Sequence, residues 1–309
     1  MSLNKIFYSF FILFIVNYST ISFAQTSSES TAVELEEIVV TAQRREQNIS
    51  DVSQAVQALS GEDLDELNIT NFEEMITLIP GAIQNSTISH GSNVYSIRGV
   101  AASETDGDAT VGYYLDNFAF SIPGRPYAPV TDLYDTERVE VLRGPSGTLY
   151  GLGSLGGTIK VITKDPVIGE FEGSFKATVS EIDDGDSSYT GDIVINAPIS
   201  DNAAIRAVLS IKDIGGWAEI IPSDQTDGNP YEALTGRLKL LVEPNEKTSV
   251  KFTYWRQDSE QEYANRLTYP SPPAIDNVFG ETFSDYTIYI LDVAYDLGFA
   301  MLESTTGYM

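Results

Sequence analysis

The chain has 309 residues, and 42% of them are hydrophobic, so it can bury the core of one large domain or of two ordinary ones. Its 18 lysines and arginines stand against 45 aspartates and glutamates, and no basic cluster relieves the net charge of -27, so a nucleic-acid partner is not expected. The absence of cysteine excludes disulfides, thiolate metal sites and thiol nucleophiles.

The first residues have the composition of a secretory signal. A lysine precedes an apolar run over residues 6–16, and Ser22 and Ala24 have the spacing that a signal peptidase reads. We expect residues 1–24 to be a signal peptide, so that the mature protein is exported. A transmembrane anchor is the alternative, but a span needs about 20 apolar residues and Asn17 interrupts this run.

Residues 25–47 begin as a Ser/Thr-rich leader without any period, which predicts a flexible segment. The leader ends in LEEIVVTAQRREQN, where residues 38–41 have high strand propensity but lie between acids and a charged run that offers no hairpin partner. An unpaired strand of this kind is able to add to the sheet of another protein. An ordinary first strand of the following domain is the alternative.

Residues 48–166 alternate helical and strand-like patterns. Ser60 with Asp63, and Thr70 with Glu73, have capping-box spacing, so a short helix is expected after each pair. Four strand-like pieces follow, which read NVYSIRGV, TVGYYLDNFAF, ERVEVLRG and GGTIKVITK. The alternation predicts an α+β domain.

Gly151, Gly153 and Gly156 have the G-x-G-x-x-G spacing of a dinucleotide-binding loop. That loop works only where a helix starts at the glycines, because the pyrophosphate binds at the helix N-terminus. The residues downstream, 158–163, are β-branched and predict a strand. Nucleotide binding is therefore rejected.

After residue 166 the hydrophobicity alternates with a period of two, which predicts strands. We count six of them, near residues 171–180, 189–196, 205–212, 234–242, 250–256 and 286–297, with a seventh beginning at Phe299. The pattern predicts an antiparallel sheet.

The connections between these strands alternate in length. Residues 198–203 and 243–247 are short polar turns, whereas residues 220–232 and 261–283 are long and rich in Pro, Asp and Asn. Short turns on one side and long loops on the other are typical of a bacterial transmembrane β-barrel. A soluble β-sandwich is the alternative, but it has no reason to show this asymmetry and would not explain the signal peptide.

Residues 137–166 read ERVEVLRGPSGTLYGLGSLGGTIKVITKDP, which resembles the carboxyl-terminal part of the plug domain of TonB-dependent outer-membrane receptors. Upstream, EEIVVTAQRRE resembles the TonB box of that family, and LIPGAI, YSIRGV and VGYYLDNF resemble its plug elements in the same order. Asn117 replaces the usual glycine of the last element, and asparagine also tolerates the positive φ of a turn.

The resemblance implies a receptor in which a plug fills a barrel of about 22 strands. It places the TonB box in the leader at residues 25–47, the plug at residues 48–166 and the first barrel strands at residues 167–309. It implies location in the outer membrane of a Gram-negative bacterium. The implied partners are TonB, outer-membrane lipid and a small-molecule substrate such as an iron chelate; no cofactor and no enzymatic activity are implied.

The resemblance also implies roles for particular residues. Pairing with TonB as an added strand falls to Glu37, Ile38, Val39, Val40, Thr41 and Ala42. Arg98 and Arg143 would hold the plug to barrel carboxylates. Tight turns against the barrel wall, where a Cβ would clash, fall to Gly144, Gly147, Gly151, Gly153, Gly156 and Gly157.

No catalytic or metal-binding constellation is visible in the sequence. His90 is the single histidine and has no partner near it, so a triad or a histidine-rich metal site is excluded. Two acidic loops have incomplete Ca²⁺-loop patterns and are interpreted as solvated charge: Asp183, Asp184, Asp186 and Glu104, Asp106, Asp108. The candidate substrate contacts are Arg125, Tyr127 and Asp106.

A barrel of about 22 strands needs about 220 residues in strands. Residues 167–309 supply 143. We therefore expect a fragment of a longer receptor, with a truncated gene product as the alternative. The expected function is import of a ferric siderophore driven by the proton-motive force through TonB; the alternative is a non-transporting product that binds TonB or ligand only.

Overall fold

The computed structural model describes residues 39–45, 47–86, 93–102, 107–122, 124–151, 153–181, 185–220, 225–262, 274–275 and 282–309. The signal peptide and most of the leader lie outside these residues. Residues 38–309 form one compact unit. It contains a plug, built from the elements up to residue 163, and a sheet of long strands that we call the strand wall.

The plug is an α+β domain around a five-stranded sheet in the order β3-β8-β9-β6-β7, in which β6 runs parallel to β9 and the other neighbours are antiparallel. Two ribbons, β1-β2 and β4-β5, complete its strands. The strand bounds are β1 Val39–Val40, β2 Gln47–Asn48, β3 Val56–Ser60, β4 Ala82–Ser86, β5 Val94–Ile97, β6 Val111–Leu115, β7 Phe118–Ala119, β8 Thr136–Arg143 and β9 Gly157–Thr163. The helices are α1 Gly61–Glu66, α2 Phe72–Ile76 and α3 Gly147–Tyr150, and a 3₁₀ turn spans Ile49–Asp51.

One of the two predicted helix caps is confirmed. The Ser60 hydroxyl accepts from the Asp63 N–H at 3.0 Å, and the Asp63 carboxylate accepts from the Ser60 N–H at 3.1 Å, which is a complete capping box. The cap at Thr70 is wrong by one residue, because the side chain of Asn71 caps α2 by accepting from the Glu74 N–H at 2.9 Å.

The strand wall contains seven long antiparallel strands, in the order β10-β11-β12-β15-β16-β19-β20. Their bounds are β10 Glu172–Glu181, β11 Ser187–Ser200, β12 Ala203–Ile214, β15 Tyr231–Asn245, β16 Thr248–Gln261, β19 Tyr286–Asp296 and β20 Met301–Tyr308. The long connections add β13 Ala218–Ile220, β14 Gln225–Gly228 and β17 Ala274–Ile275 as a small sheet, and β18 Thr282–Phe283 beside β16. The six predicted strands and the seventh are thereby confirmed.

The two faces of the strand wall differ in polarity. On β15, Arg237 and Lys239 face the plug and are 5% and 1% exposed, whereas Leu238 between them is 36% exposed. The exposed face carries the large apolar side chains Phe175, Val179, Ile193, Leu209, Leu234, Phe252, Tyr289 and Leu291. An apolar outer face with a polar inner face is the arrangement of a transmembrane β-barrel. None of the helices in the described part of the chain is long and apolar enough to cross a membrane.

An apolar contact joins the plug to one part of the wall. Trp255 of β16 and Ile288 and Ile290 of β19 are almost completely buried in the same hydrophobic cluster as the plug core. Phe120 of the plug meets the Tyr286 ring edge to face, with 5.0 Å between the ring centroids. The plug and wall therefore share one core.

A second contact is ionic, and it centres on Asp135 of the plug. Its carboxylate accepts from Arg206 Nε and from Arg237 Nη2, both at 2.9 Å. The three side chains are 3–4% exposed. Arg237 also stacks over the ring of Trp255 at 5.1 Å, so the ionic contact continues into the apolar one.

Three further plug carboxylates extend the ionic contact. Asp116 lies 3.1 Å from Lys239. Asp165 lies 2.7 Å from Lys239 and 2.8 Å from Lys251. Nearer the long loops, Asp132 lies 3.2 Å from Lys212.

The segment that connects plug and wall is held by one side chain. Asn196 of β11 is completely buried, and its amide accepts from the Val167 N–H and donates to the Val167 carbonyl, each at 2.9 Å. It also donates to the Glu170 carbonyl at 2.8 Å. Asn196 thus satisfies the backbone of the connection just before β10 begins.

The glycine-rich stretch leads into a strand. Gly151 and Gly153 have φ values of 69° and 86°, and β9 follows them without a helix, so the predicted strand is confirmed. A Cβ on Gly157 would overlap the Leu142 carbonyl oxygen and lie 2.7 Å from Ile97 Cδ1.

The close neighbours of these glycines belong to the plug itself. A Cβ on Gly156 would lie 3.1 Å from Val100 Cβ, and one on Gly144 would lie 3.5 Å from a guanidinium nitrogen of Arg98. A Cβ on Gly147 would meet nothing within 4 Å. The expectation that these glycines pack against the barrel wall is therefore wrong for the described residues, because the clearance they provide lies between plug elements.

We predict that Gly157→Ala destabilises the plug by about 3 kcal/mol, because the new methyl group cannot fit between Leu142 and Ile97. Gly147→Ala is the matched control and should change stability by less than about 1 kcal/mol, since the space around it is open and alanine favours the helix. Thermal unfolding of the two purified variants in detergent measures the difference. Equal midpoints would contradict the packing at Gly157.

We also predict that acid weakens the contact between plug and wall. Burial opposes ionisation of Asp116, but Lys239 and Lys251 outweigh it and hold the pKa at about 2, below the 3.8 of a free aspartate. The pKa values of Asp132 and Asp135 are also lowered, against the effect of burial, by their partner cations. The stabilisation is therefore complete above about pH 4 and is lost as the pH falls towards 2.

Fluorescence of Trp255, which is buried in the shared core, measures this acid transition in a protein whose other tryptophan, Trp217, is replaced by Phe. At neutral pH, the free energy of unfolding of the Asp116→Asn variant should be about 2 kcal/mol lower than that of the wild type. Its stability should also depend less on pH between about 4 and 2. An unchanged transition in the variant would show that Asp116 does not carry the effect.

Candidate functional site

The segment Val39–Ala42 is docked on the plug. Its strand β1 pairs with β2 through two residue pairs, so the expectation that the following charged run offers no partner is wrong. Arg44 takes a left-handed φ of 61° and donates its N–H to the Thr41 carbonyl at 2.9 Å, which closes the turn. No second strand pairs with β1 among the described residues, so one edge is open. Glu37 and Ile38 lie outside them.

Thr41 connects this segment to two buried charges of the plug sheet. Glu140 on β8 lies opposite Lys160 on β9, and both are buried. The Thr41 N–H donates to Glu140 Oε1 at 2.7 Å, and Lys160 Nζ donates to the Thr41 hydroxyl at 2.8 Å. Burial lowers the pKa of Lys160, and the Glu140 carboxylate acts in the opposite direction. Thr41 thus supplies hydrogen bonds that two desolvated charges need.

Two tyrosines hold the next residues of the segment. The Tyr150 hydroxyl donates to the Ala42 carbonyl at 2.9 Å, and burial raises the pKa of this phenol to about 12, so it remains a donor at neutral pH. The guanidinium of Arg44 lies 4.7 Å from the ring centroid of Tyr150 and 5.1 Å from that of Tyr114. We call the contacts of Thr41, Ala42 and Arg44 with these plug side chains the latch.

Arg98 and Arg143 both lie beside Gly144, at the start of the glycine-rich region of the plug. Arg98 is exposed and has a left-handed φ of 54°, and Arg143 donates to the Pro80 carbonyl at 3.3 Å. Within the described ranges neither pairs with a wall carboxylate. The ion pairs between plug and wall in those ranges have the opposite polarity, with carboxylates on the plug and cations on the wall. Contact of these two arginines with barrel carboxylates stays a prediction.

The candidate substrate contacts lie on loops of the plug. Arg125 is exposed and Tyr127 is half-buried. The loop of Arg125 is tied to its neighbour by the Gly124 N–H, which donates to the Asp108 carboxylate at 2.8 Å. Asp106 lies outside the described residues, so the structure does not bring the three side chains together, and their assignment stays a prediction.

A cavity of about 280 Å³ lies between α2 of the plug and the inner face of the wall. Aromatic rings of Phe72, Tyr95 and Tyr231 line it together with the polar side chains of Glu73 and Lys212. It does not include Arg125 or Tyr127.

No group of three or more metal-ligating side chains occurs in the part of the chain that the structure describes. His90, Glu104, Asp183 and Asp184 lie outside that part. Asp186 and Asp108 are within it, and both are exposed.

Sequence reasoning named Thr41 and Ala42 but missed the plug side chains that hold them, and it missed the residues of the ionic contact. Glu140 and Lys160 each lie in a predicted strand. The alternation of that strand indicates which face of the sheet the side chain is on, but it does not indicate what the side chain contacts. Asp116 and Asp135 both have left-handed φ values, 49° and 57°, at turns between strands. Aspartate in a turn was the available signal, but a turn does not reveal a contact on another sheet.

Residues 48–158 match the family described as TonB-dependent Receptor Plug Domain. The Pesticin receptor of Yersinia pestis is 28% identical over 229 residues, which cover 72% of this chain and 32% of that protein. The Vitamin B12 transporter BtuB of Vibrio vulnificus is 26% identical, covering 75% of this chain and 36% of that one. The chain thus spans about a third of the length of these curated relatives.

Solved structures share the fold. The ferric yersiniabactin uptake receptor FyuA from Yersinia pestis superimposes with a TM-score of 0.68 at 18% identity, over 84% of this chain and 41% of that one. The ferripyoverdine receptor of the outer membrane of Pseudomonas aeruginosa superimposes with a TM-score of 0.66 at 18% identity, over 86% and 36%. A plug that matches this family model, followed in order by strands with the fold of these receptors, makes the chain similar to the TonB-dependent receptors.

Proposed function

We propose that the chain serves as a TonB-dependent receptor of the outer membrane that imports an iron chelate, most directly a ferric siderophore. The observation that carries the proposal is the latched segment Val39–Ala42, which joins an open strand edge to the central strands of the plug.

The open edge of β1 suits a partner that binds by adding a strand. At Val39 and Val40, main-chain hydrogen bonds from such a partner would displace no other strand, because β1 has only one neighbour among the described strands. Val39 is 46% exposed, so the edge is accessible from solvent. TonB would engage this edge together with Glu37 and Ile38.

The latch then transmits a pull into the plug. Thr41 bonds to Glu140 and Lys160, which are paired neighbours on β8 and β9; β9 is the middle strand of the plug sheet and β8 lies beside it. Force on Val39–Ala42 is therefore applied to the centre of the sheet that covers the strand wall.

The substrate class rests on the relatives. Receptors for pesticin and ferripyoverdine, and the uptake receptor for ferric yersiniabactin, are among the similar proteins, and two of these three names specify an iron chelate. The similarity to a vitamin B12 transporter keeps cobalamin as the competing substrate.

We predict that Val39→Pro abolishes energy-dependent uptake while surface binding remains. Proline removes the backbone N–H that an added strand needs, and the exposed side chain of Val39 leaves the plug core unchanged. Uptake and binding are measured with a panel of iron-55 chelates in cells that carry the gene encoding this chain. Val39→Thr keeps the N–H and is the matched control.

Undiminished uptake in Val39→Pro would contradict the coupling role of β1. If the cells took up labelled cobalamin but accumulated none of the iron chelates in the panel, the iron-chelate assignment would be contradicted. The coupling role of β1 would not be affected by that result.

A further inference from the structure

Five cations form a stripe along the inner face of the strand wall. They lie on the neighbouring strands β12, β15 and β16, and we call them the basic stripe: Arg206, Lys212, Arg237, Lys239 and Lys251. Arg206 stands directly opposite Lys239. Lys251 pairs with Leu241, which in turn pairs with Ala204, so Lys251 lies at the level of Ala204. The stripe thus runs from the level of Ala204 to Lys212, which is about 27 Å along the strands.

Every member of the stripe is covered by a carboxylate of the plug. The partners are Asp135 for Arg206 and Arg237, Asp116 and Asp165 for Lys239, Asp165 for Lys251 and Asp132 for Lys212. The neighbouring strands carry inward carboxylates instead, Asp192 on β11 and Asp292 on β19, so the stripe has defined edges. Among the inward-facing side chains of β11, β12, β15, β16 and β19, positive charge is therefore confined to the three middle strands, in a chain whose net charge is -27.

The ionic contact is not the only contact that holds the plug. The apolar contact at Trp255, Ile288 and Ile290 joins the same plug to the next part of the wall without desolvating any ion. Buried ion pairs are often no more stabilising than apolar packing of similar volume. Arg206 opposite Lys239 even places like charges across a strand pair, which is unfavourable.

We propose that the basic stripe is the surface along which an anionic substrate passes, and that the plug aspartates occupy the anion positions at rest. This inference rests on the proposed function. When the plug is drawn away from β12, β15 and β16, all five cations lose their plug carboxylates, and Arg206 keeps its ion pair with Glu172 of β10 at 3.1 Å. Carboxylate or catecholate oxygens of an anionic ferric chelate replace the plug carboxylates, whereas a neutral chelate gains no such interaction. The substrate class is therefore an anionic iron chelate.

The pair Asp132–Lys212 separates this role from plug attachment. Lys212→Gln and Asp132→Asn remove the same 3.2 Å ion pair, so both loosen the plug to a similar extent. Only the first also removes a cation from the stripe. Lys212→Arg keeps the charge and serves as the control for side-chain length.

The test measures iron-55 uptake, normalised to receptor in the outer membrane, from an anionic ferric tris-catecholate and from a neutral ferric tris-hydroxamate. We expect the wild type to accumulate the anionic chelate about tenfold faster, and Lys212→Gln to lose most of this preference. Asp132→Asn and Lys212→Arg should keep it.

If Lys212→Gln and Asp132→Asn lost the preference for the anionic chelate to the same extent, the inference would be overturned, because the ion pair would then act only in holding the plug. Preference of the wild type for the neutral chelate would also overturn it, while leaving iron-chelate import in place. Receptor-dependent uptake of neither chelate, in cells that do accumulate cobalamin, would instead remove the proposed function on which the inference rests.

Discussion

The carboxylate of Asp135, held between the guanidinium groups of Arg206 and Arg237, is the interaction on which the arrangement of plug and wall depends. These side chains are almost completely buried, so removing Asp135 would leave two guanidinium groups without their shared counter-ion between two sheets. The contact continues through the ring of Trp255 into the apolar cluster, and through Lys239 to Asp116 and Asp165. The inner face of the wall is polar because the plug supplies its counter-ions.

The two ends of the plug are attached in different ways. At the carboxyl end, Asn196 fixes the backbone of the connection, and Asp165 is held by two lysines of the wall. At the amino end, the latch relies on a few hydrogen bonds to Thr41 and Ala42 and on the stacked Arg44. A force applied to Val39–Ala42 therefore acts on the latch first and reaches the wall through β8 and β9. This asymmetry is what a plug needs if it is to yield at one end while staying joined at the other.

Local patterns in the sequence predicted the elements well where neighbouring residues decide them. Ser60 and Asp63 form the capping box because both groups lie within one helical turn. The alternation along Phe171–Val179 and Tyr289–Tyr295 predicted the strands and their faces, since adjacent side chains of a strand point to opposite sides. The sequence placed the cap of α2 at Thr70 instead of Asn71, and it predicted no hairpin partner for β1. Both errors arose because several nearby polar residues could take the role, and only the backbone geometry decides between them. The role of the glycines was also mistaken: the pattern predicts tight clearance, but not which neighbour requires it.

By itself, the sequence determined the order of the chain: a plug with the family motif, followed by strands with one apolar and one polar face. These features follow from short-range periodicity and from a motif that is contiguous. Only the tertiary structure decided which charges meet, that the plug carries the carboxylates and the wall the cations, and that Thr41 reaches Glu140 and Lys160. Those partners are about 70 to 120 residues apart along the chain, and no local pattern specifies a contact that forms only when two sheets pack face to face.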